Sequence, residues 1–255
     1  MFSRIHKRYD LMNHVLSFGI DKSWRKSAVY SAMIEKKSYR LLDIATGTGD
    51  LAIMIKKRGI KKGKDIDIEG IDFNEKMLGF AKVKSKKLDL KIKFNVRDAL
   101  ATEFPDDSFD VITSSFALRD FDSLEQFVDE AYRIMKKNGK IVLLEMSLPK
   151  HGINKYVFNF YVNVMRFEGA LIDNNAYSFL IKSIKEFDKD RLLALLKKKG
   201  FGKVECRALL TNAAFLVTAK LNQKYIDMAI KCIKGRDFSD ILEPYARMIS
   251  INPSQ

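Results

Sequence analysis

The segment Leu41 to Leu51, LLDIATGTGDL, constrains this chain most, because an apolar run ends in an acid and a glycine-threonine-glycine turn follows directly. That order describes a buried strand, a tight loop and the start of a helix, arranged around a small ligand. Gly47 and Gly49 carry no Cβ, so the main chain can turn sharply there and a ligand can approach it closely. The string GTGDLA also satisfies the dinucleotide fingerprint, with Asp72 at about the spacing of a ribose-binding acid, so the glycines alone do not decide the ligand. Asp43 separates the readings: four residues before Gly47, it falls in the last turn of an otherwise buried strand. A buried carboxylate needs a partner. A phosphate is a poor one, and an ammonium or sulfonium is a good one. In this respect D-x-x-x-G-x-G favours a ligand carrying a cation over NAD, with a purely structural turn as the remaining alternative.

Strands and helices then alternate. The segment 40–45 reads as a strand and 50–58 as a helix; IDIEGID ends a second strand at Asp72. A helix near 74–85, the strand KIKFNV and the strand SFDVITSSF at 108–116 follow. LEQFVDEAYRIMKK has the apolar spacing of an amphipathic helix, which Asn138-Gly139 is expected to end before the strand KIVLLEM. RLLALLKKKGF reads as a helix with a glycine stop, and KVECRALLTNAAFLVTAKL as a closing pair of strands, antiparallel because the turn between them is short. The pattern predicts an α/β chain with a Rossmann-like seven-stranded sheet, helices on both faces and an antiparallel last strand. Ligands of such sheets bind beyond the strand C-termini. The motif around Gly47 resembles the first motif of class I S-adenosylmethionine-dependent methyltransferases.

Outside that core, residues 1–38 carry Tyr9, Leu11, Met12, Val15, Leu16 and Phe18 ahead of the first strand. Residues 150–187 are rich in aromatic side chains, among them Tyr156, Phe160, Phe167 and Tyr177. The first is expected to form a helical lid and the second a substrate-side helical insertion in a domain spanning 39–221; ordinary core packing is the plain alternative for both. Residues 222–255 show two apolar stripes divided by Gly235, which predicts a C-terminal helical extension packed on the parent domain, on a second copy, or on a membrane.

Composition excludes several classes. No stretch is long and apolar enough to span a bilayer, and MFSRIHKRYD has no apolar signal core, so a cytoplasmic protein is expected. Cys206 and Cys232 lie far apart and away from the histidines, so neither a disulfide nor a metal site is expected. The net charge of +14 suits an anionic surface, but its lysines fall in short groups at 56–64, 82–93, 136–140 and 197–203, where helices end and favour cations anyway. Nucleic acid is not expected as a partner; a peripheral, anionic membrane surface is the functional alternative to plain solvation.

With these segments in view, the chain resembles the ubiquinone/menaquinone biosynthesis C-methyltransferase family from about Phe2 to Lys220. The resemblance rests on RYDLMNHVLSFGIDKSWR at 8–25, DIATGTGDLA at 43–52, GIDFNEKML at 70–78, FPDDSFDVITSSFALRDF at 104–121 and AYSFLIKSIKEF at 176–187. The chain departs from the family in ALRD, where glycine-leucine-arginine-asparagine is usual, in lacking a proline near Met165, and in the late glycines and histidine that NAAFLVTAKL omits.

The resemblance implies S-adenosylmethionine as cofactor, with S-adenosylhomocysteine as product. It implies that Asp43, Gly47, Thr48 and Gly49 face the methionine portion of the donor, that Asp72 accepts both ribose hydroxyls, and that Asp98 and Ala99 meet the adenine edge. Ser115 would line the reaction side. Arg119, after the fourth strand, would pair with a phenolate, and Tyr177 in the late aromatic motif joins it as a candidate catalytic residue. Plain alternatives are a strand cap for Ser115, a turn cap for Asp98, and a surface ion pair to Asp120 or Asp122 for Arg119. The implied acceptor is a small lipophilic quinol, a reduced prenylated quinone precursor, with another small aromatic or polyketide-like acceptor as the alternative and an RNA methyltransferase or a non-catalytic binding protein as the less favoured ones. His6, His14 and His151 are candidate bases by residue type only.

Overall fold

The computed structural model describes residues 20–147, 182–209 and 213–221. By its contacts the chain divides into Met1–Leu221 and Asn222–Gln255, and every described residue belongs to the first unit. The expectations for residues 1–19, for most of the 150–187 insertion and for the 222–255 extension lie outside the described residues, as do Tyr177, Cys232 and all three histidines.

The elements run α1 (Asp21–Ala32), β1 (Ser38–Ile44), α2 (Asp50–Lys61), β2 (Asp65–Asp72), α3 (Glu75–Lys87), β3 (Lys93–Val96), β4 (Phe109–Ser115), a 3₁₀ turn (Leu118–Asp120), α4 (Leu124–Ile134), β5 (Met135–Met146), α5 (Lys189–Lys199), β6 (Phe201–Ala208) and β7 (Ala214–Leu221). The seven strands form one sheet in the order β3-β2-β1-β4-β5-β7-β6. β7 runs antiparallel to both β5 and β6, and the other neighbouring pairs are parallel, as the alternating pattern predicts. No described helix is long and apolar enough to cross a membrane.

Apolar runs explain the placement of the central strands. Leu41, Leu42 and Ile44 of β1 and Val111 and Ile112 of β4 are fully buried, because helices cover both faces of a parallel sheet. Helix starts follow the capping residues: Asn74 accepts from the amides of Lys76 and Met77, Ser123 from Gln126 and Asp188 from Arg191. Gly200, at φ 103°, stops α5.

One expectation needs revision. The helix expected to continue to Asn138 ends at Ile134, and the chain is already a strand at Met135. Met135 is fully buried and pairs with Phe109, while Asp107 and Ser108 donate their amides to the carbonyls of Arg133 and Ile134. Pairing with β4 therefore overrides the helical periodicity of IMKK. The described part of the N-terminal segment is core: Trp24, Ala28, Val29 and Ala32 of α1 are buried in the cluster that includes Leu41 and Leu51. The lid expectation is left to residues 1–19, outside the described residues.

The strand order reverses between β1 and β4. The crevice at their C-terminal ends is the place where doubly wound sheets bind ligands.

Candidate active site

A cavity of about 750 Å³ opens at that crevice. It is bounded by the loop after β1, the end of β2, the segment after β3 and the turn after β4. Gly47, Thr48, Asp72, Asp98, Ala99 and Ser115 all line it, so tertiary folding brings together six of the residues singled out from the sequence.

The loop after β1 owes its shape to local backbone geometry. Gly47 and Gly49 have φ of 56° and 79°, in the left-handed region that favours glycine. At Gly49 a Cβ would also come within 3.0 Å of Ala81 and 3.1 Å of Phe94, so its role is close packing beneath the cavity and not direct lining. The residues that leave the two central strands, Ala45 and Phe116, also have positive φ, at 52° and 60°. For a bulky side chain this is a strained conformation, and such strain persists where surrounding structure enforces it, often at functional sites.

Asp72 ends β2 with its carboxylate at the loop. One oxygen accepts the Gly47 amide at 2.8 Å and the other accepts the Asn74 amide at 2.9 Å. Asp98 accepts the Leu100 amide at 2.8 Å while lining the cavity, so the turn cap and the site position coexist. Lys84 of α3 donates to Thr48 and to Asp50, tying α3 to the start of α2.

Asp43 differs from expectation. Its oxygens accept from the hydroxyls of Thr46 and Thr113, both at 2.6 Å, and it is 1% exposed, beneath the cavity and not in its lining. The register explains this: β1 and β4 pair Asp43 with Thr113. Burial raises its carboxyl to about 6 from 3.8, against the lowering effects of the two hydroxyls and of Arg25. Asp43 therefore lies under the floor of the cavity, held by two hydroxyls.

Arg119 also differs. Its guanidinium pairs with Glu145 at the end of β5, and neither side chain is exposed. It does not line the cavity, and it is not the surface ion pair that was the plain alternative. Burial pushes the Glu145 carboxyl up and the Arg119 charge opposes that shift. The reason is topological: β4 and β5 are neighbours with Ser115 opposite Leu144, which sets Arg119 beside Glu145.

Several cavity residues carry no sequence signal of their own. Phe73 and Val96 are 69% and 54% exposed although large and apolar, and they flank the opening at the ends of β2 and β3. Arg25 of α1 lines the cavity while 7% exposed. Phe116, Ala117 and Phe121 form an apolar wall on the β4 side. The described lining holds six carboxylates, of Asp50, Asp72, Asp98, Glu103, Asp120 and Asp122, against the guanidiniums of Arg25 and Arg97. In a chain of net charge +14 this cavity is locally acidic, which suits a cationic ligand.

Glycine loop, strand-end acid and acidic cavity on this sheet are the parts of a class I methyltransferase, and the comparisons with known proteins agree. A solved S-adenosylmethionine-dependent methyltransferase of Aquifex aeolicus shares the fold, with a TM-score of 0.55 at 17% identity over 77% of this chain and 89% of that one. A demethylmenaquinone methyltransferase of Thermus thermophilus is 41% identical over 205 residues, 79% of this chain and 91% of that protein. A ubiquinone/menaquinone biosynthesis C-methyltransferase of Rickettsia prowazekii is 37% identical over 215 residues, covering 82% of this chain and 86% of that one. The model of the ubiE/COQ5 methyltransferase family matches residues 1–219, and the chain belongs to that family. It is an enzyme, a methyltransferase whose donor is S-adenosylmethionine.

Proposed function

We propose that this protein transfers a methyl group to a ring carbon of a reduced, prenylated quinone precursor, a demethylmenaquinol-like or methoxy-benzoquinol-like ring. The observation that carries the reading is the similarity, over most of both chains, to a protein named for demethylmenaquinone methylation. The cavity supports it: its volume lies in the range of sites that enclose a small molecule, and its apolar wall adjoins the glycine loop.

The residues present fit the donor. The two glycine conformations admit a ligand against the main chain, and the Asp72 oxygens at the strand end retain lone pairs for ribose hydroxyls. When bound, S-adenosylmethionine supplies an electrophilic methyl on a sulfonium sulfur. Thr48 and the loop amides would orient the methionine portion, Phe73 and Val96 would hold the adenine between apolar faces, and Asp98 with Ala99 would meet its edge. Ser115, at the end of β4, would face the reacting ring. Asp43 under the floor would oppose the positive charge above it.

In the acceptor, the ring carbon beside a hydroxyl forms the new carbon–carbon bond as the sulfur–methyl bond breaks and its electron pair returns to sulfur. The ring then gives up its proton. Only an electron-rich ring is nucleophilic enough, so the reduced quinol or its anion is the substrate. Alignment of the ring carbon with the methyl, and exclusion of water as the acceptor fills the site, is what the protein would contribute. The basic surface would let the protein dwell at an anionic bilayer where such acceptors reside, each lysine near that surface adding about 1 kcal/mol.

Methylation of a demethylated menaquinol kept reduced by dithionite, followed by mass spectrometry, tests the reading against the oxidised quinone. Product is expected from the quinol alone. Equal rates with both, or ready methylation of a soluble phenol while neither yields product, would remove the quinol assignment.

A further inference from the structure

We infer that Arg25 is a binding residue for the α-carboxylate of the donor's methionine portion, held ready for it by Asp21 and Phe116. The inference rests on the donor being S-adenosylmethionine and adds a contact from outside the sheet.

Arg25 sits on α1, a helix of the packed core, and is 7% exposed while lining the cavity. Burying a guanidinium requires partners for its charge and its five N–H groups. One terminal nitrogen pairs with Asp21, one helical turn earlier. The guanidinium carbon lies 5.0 Å from the centroid of the Phe116 ring, whose strained φ of 60° holds it at the cavity. The Nε, itself closed off from solvent, has no hydrogen-bond partner among the described residues. A planar fork fixed on two sides at the edge of a cavity is suited to a carboxylate.

The charges decide which ligand group meets it. The donor carries one anion, its α-carboxylate, along with a sulfonium and an ammonium. Of the described lining residues only Arg25 and Arg97 are cationic, against six carboxylates. Arg97 is directed elsewhere: it donates to the Thr102 carbonyl and to Glu103, and stacks on Phe104 beside Asp98. Arg25 lies instead on the side of Phe116, and its charge reaches Asp43 beneath the glycine loop. The methionine portion thus meets an acid below and a guanidinium at its end, which matches a zwitterion.

Titration calorimetry on the full chain tests this with two ligands. S-adenosylhomocysteine has the carboxylate, whereas methylthioadenosine keeps the adenosine and sulfur without the amino-acid portion. Arg25→Gln is expected to weaken S-adenosylhomocysteine by about tenfold to a hundredfold, the worth of a charge-assisted hydrogen bond. Methylthioadenosine binding should stay unchanged, and Arg25→Lys, which keeps the charge but not the fork, should fall between. Should Arg25→Gln not fold, the decarboxylated analogue S-adenosyl-3-thiopropylamine against the unaltered protein makes the same comparison from the ligand side, with the same loss expected. Equal losses for both ligands in Arg25→Gln would show a structural role only, and an undiminished S-adenosylhomocysteine affinity, or full affinity for the decarboxylated analogue, would overturn the contact. Absence of S-adenosylhomocysteine binding to the unaltered protein would overturn the donor itself, and the inference with it.

Discussion

The amide of Gly47 donates to the carboxylate of Asp72 at 2.8 Å, so the glycine loop after the first strand is tied to the acid that ends the second. Loop and acid are one unit, and a ligand touching either meets both. Asp72→Ala removes the proposed ribose contact and frees the loop. It is expected to lower the affinity for S-adenosylhomocysteine by at least one such charge-assisted bond, about 1.5 to 3 kcal/mol. Calorimetry on folded Asp72→Ala decides it; an unchanged affinity would take Asp72 out of the site.

Arg119 and Glu145 form a buried pair, and removing one partner of such a pair leaves the other charge without compensation. Arg119→Met should cost roughly 3 to 5 kcal/mol of folding stability, and replacing both residues by apolar ones should cost less. Denaturant titration of the single and double variants reads this directly. A stable Arg119→Met protein with intact donor binding and lost turnover would restore Arg119 to a part in catalysis.

The Asp43 carboxyl, raised by burial from 3.8 to about 6, binds its proton more tightly in the folded chain than in the unfolded one. Its favourable contribution to folding is therefore full below pH 3.8 and is lost as pH rises through about 6. An asparagine amide in its place would not titrate. The stability of Asp43→Asn relative to the unaltered protein should improve by on the order of 2 kcal/mol between pH 4 and pH 7. Urea titrations at the two pH values measure the difference, and a pH-independent one would mean that Asp43 is not raised.

An acidic cavity separates ligands by charge. The cationic donor analogue sinefungin should lose more affinity than S-adenosylhomocysteine when ionic strength rises from about 0.01 M to 1 M, because the screening length falls from roughly 30 Å to 3 Å. Parallel calorimetric titrations at the two salt concentrations check it. Equal losses would place the lining carboxylates out of electrostatic reach of the sulfur.

Local chemistry carried much of the fold into the sequence. The apolar run to Ile44, the glycines of the loop, Asp72 at a strand end and the glycine stop at Gly200 are all readable because turn geometry and side-chain periodicity depend on neighbouring residues. The sheet and its donor-side acids follow from that alternation. Partner choice did not follow, since it depends on strand order and register. Nothing near Asp43 announces Thr113, seventy positions away, and nothing near Arg119 announces Glu145. The periodicity of IMKK pointed to helix, and only pairing with Phe109 turned Met135 into strand. Arg25 belongs to the cavity because α1 packs beside the crevice, and Phe73 and Val96 flank its mouth because β2 and β3 end at one level, with Asp72 opposite Val96. The sequence by itself determined where the chain turns and which acids stand at the strand ends; the tertiary structure decided which charges face the ligand and which face each other, because burial and distance exist only once the strands are side by side.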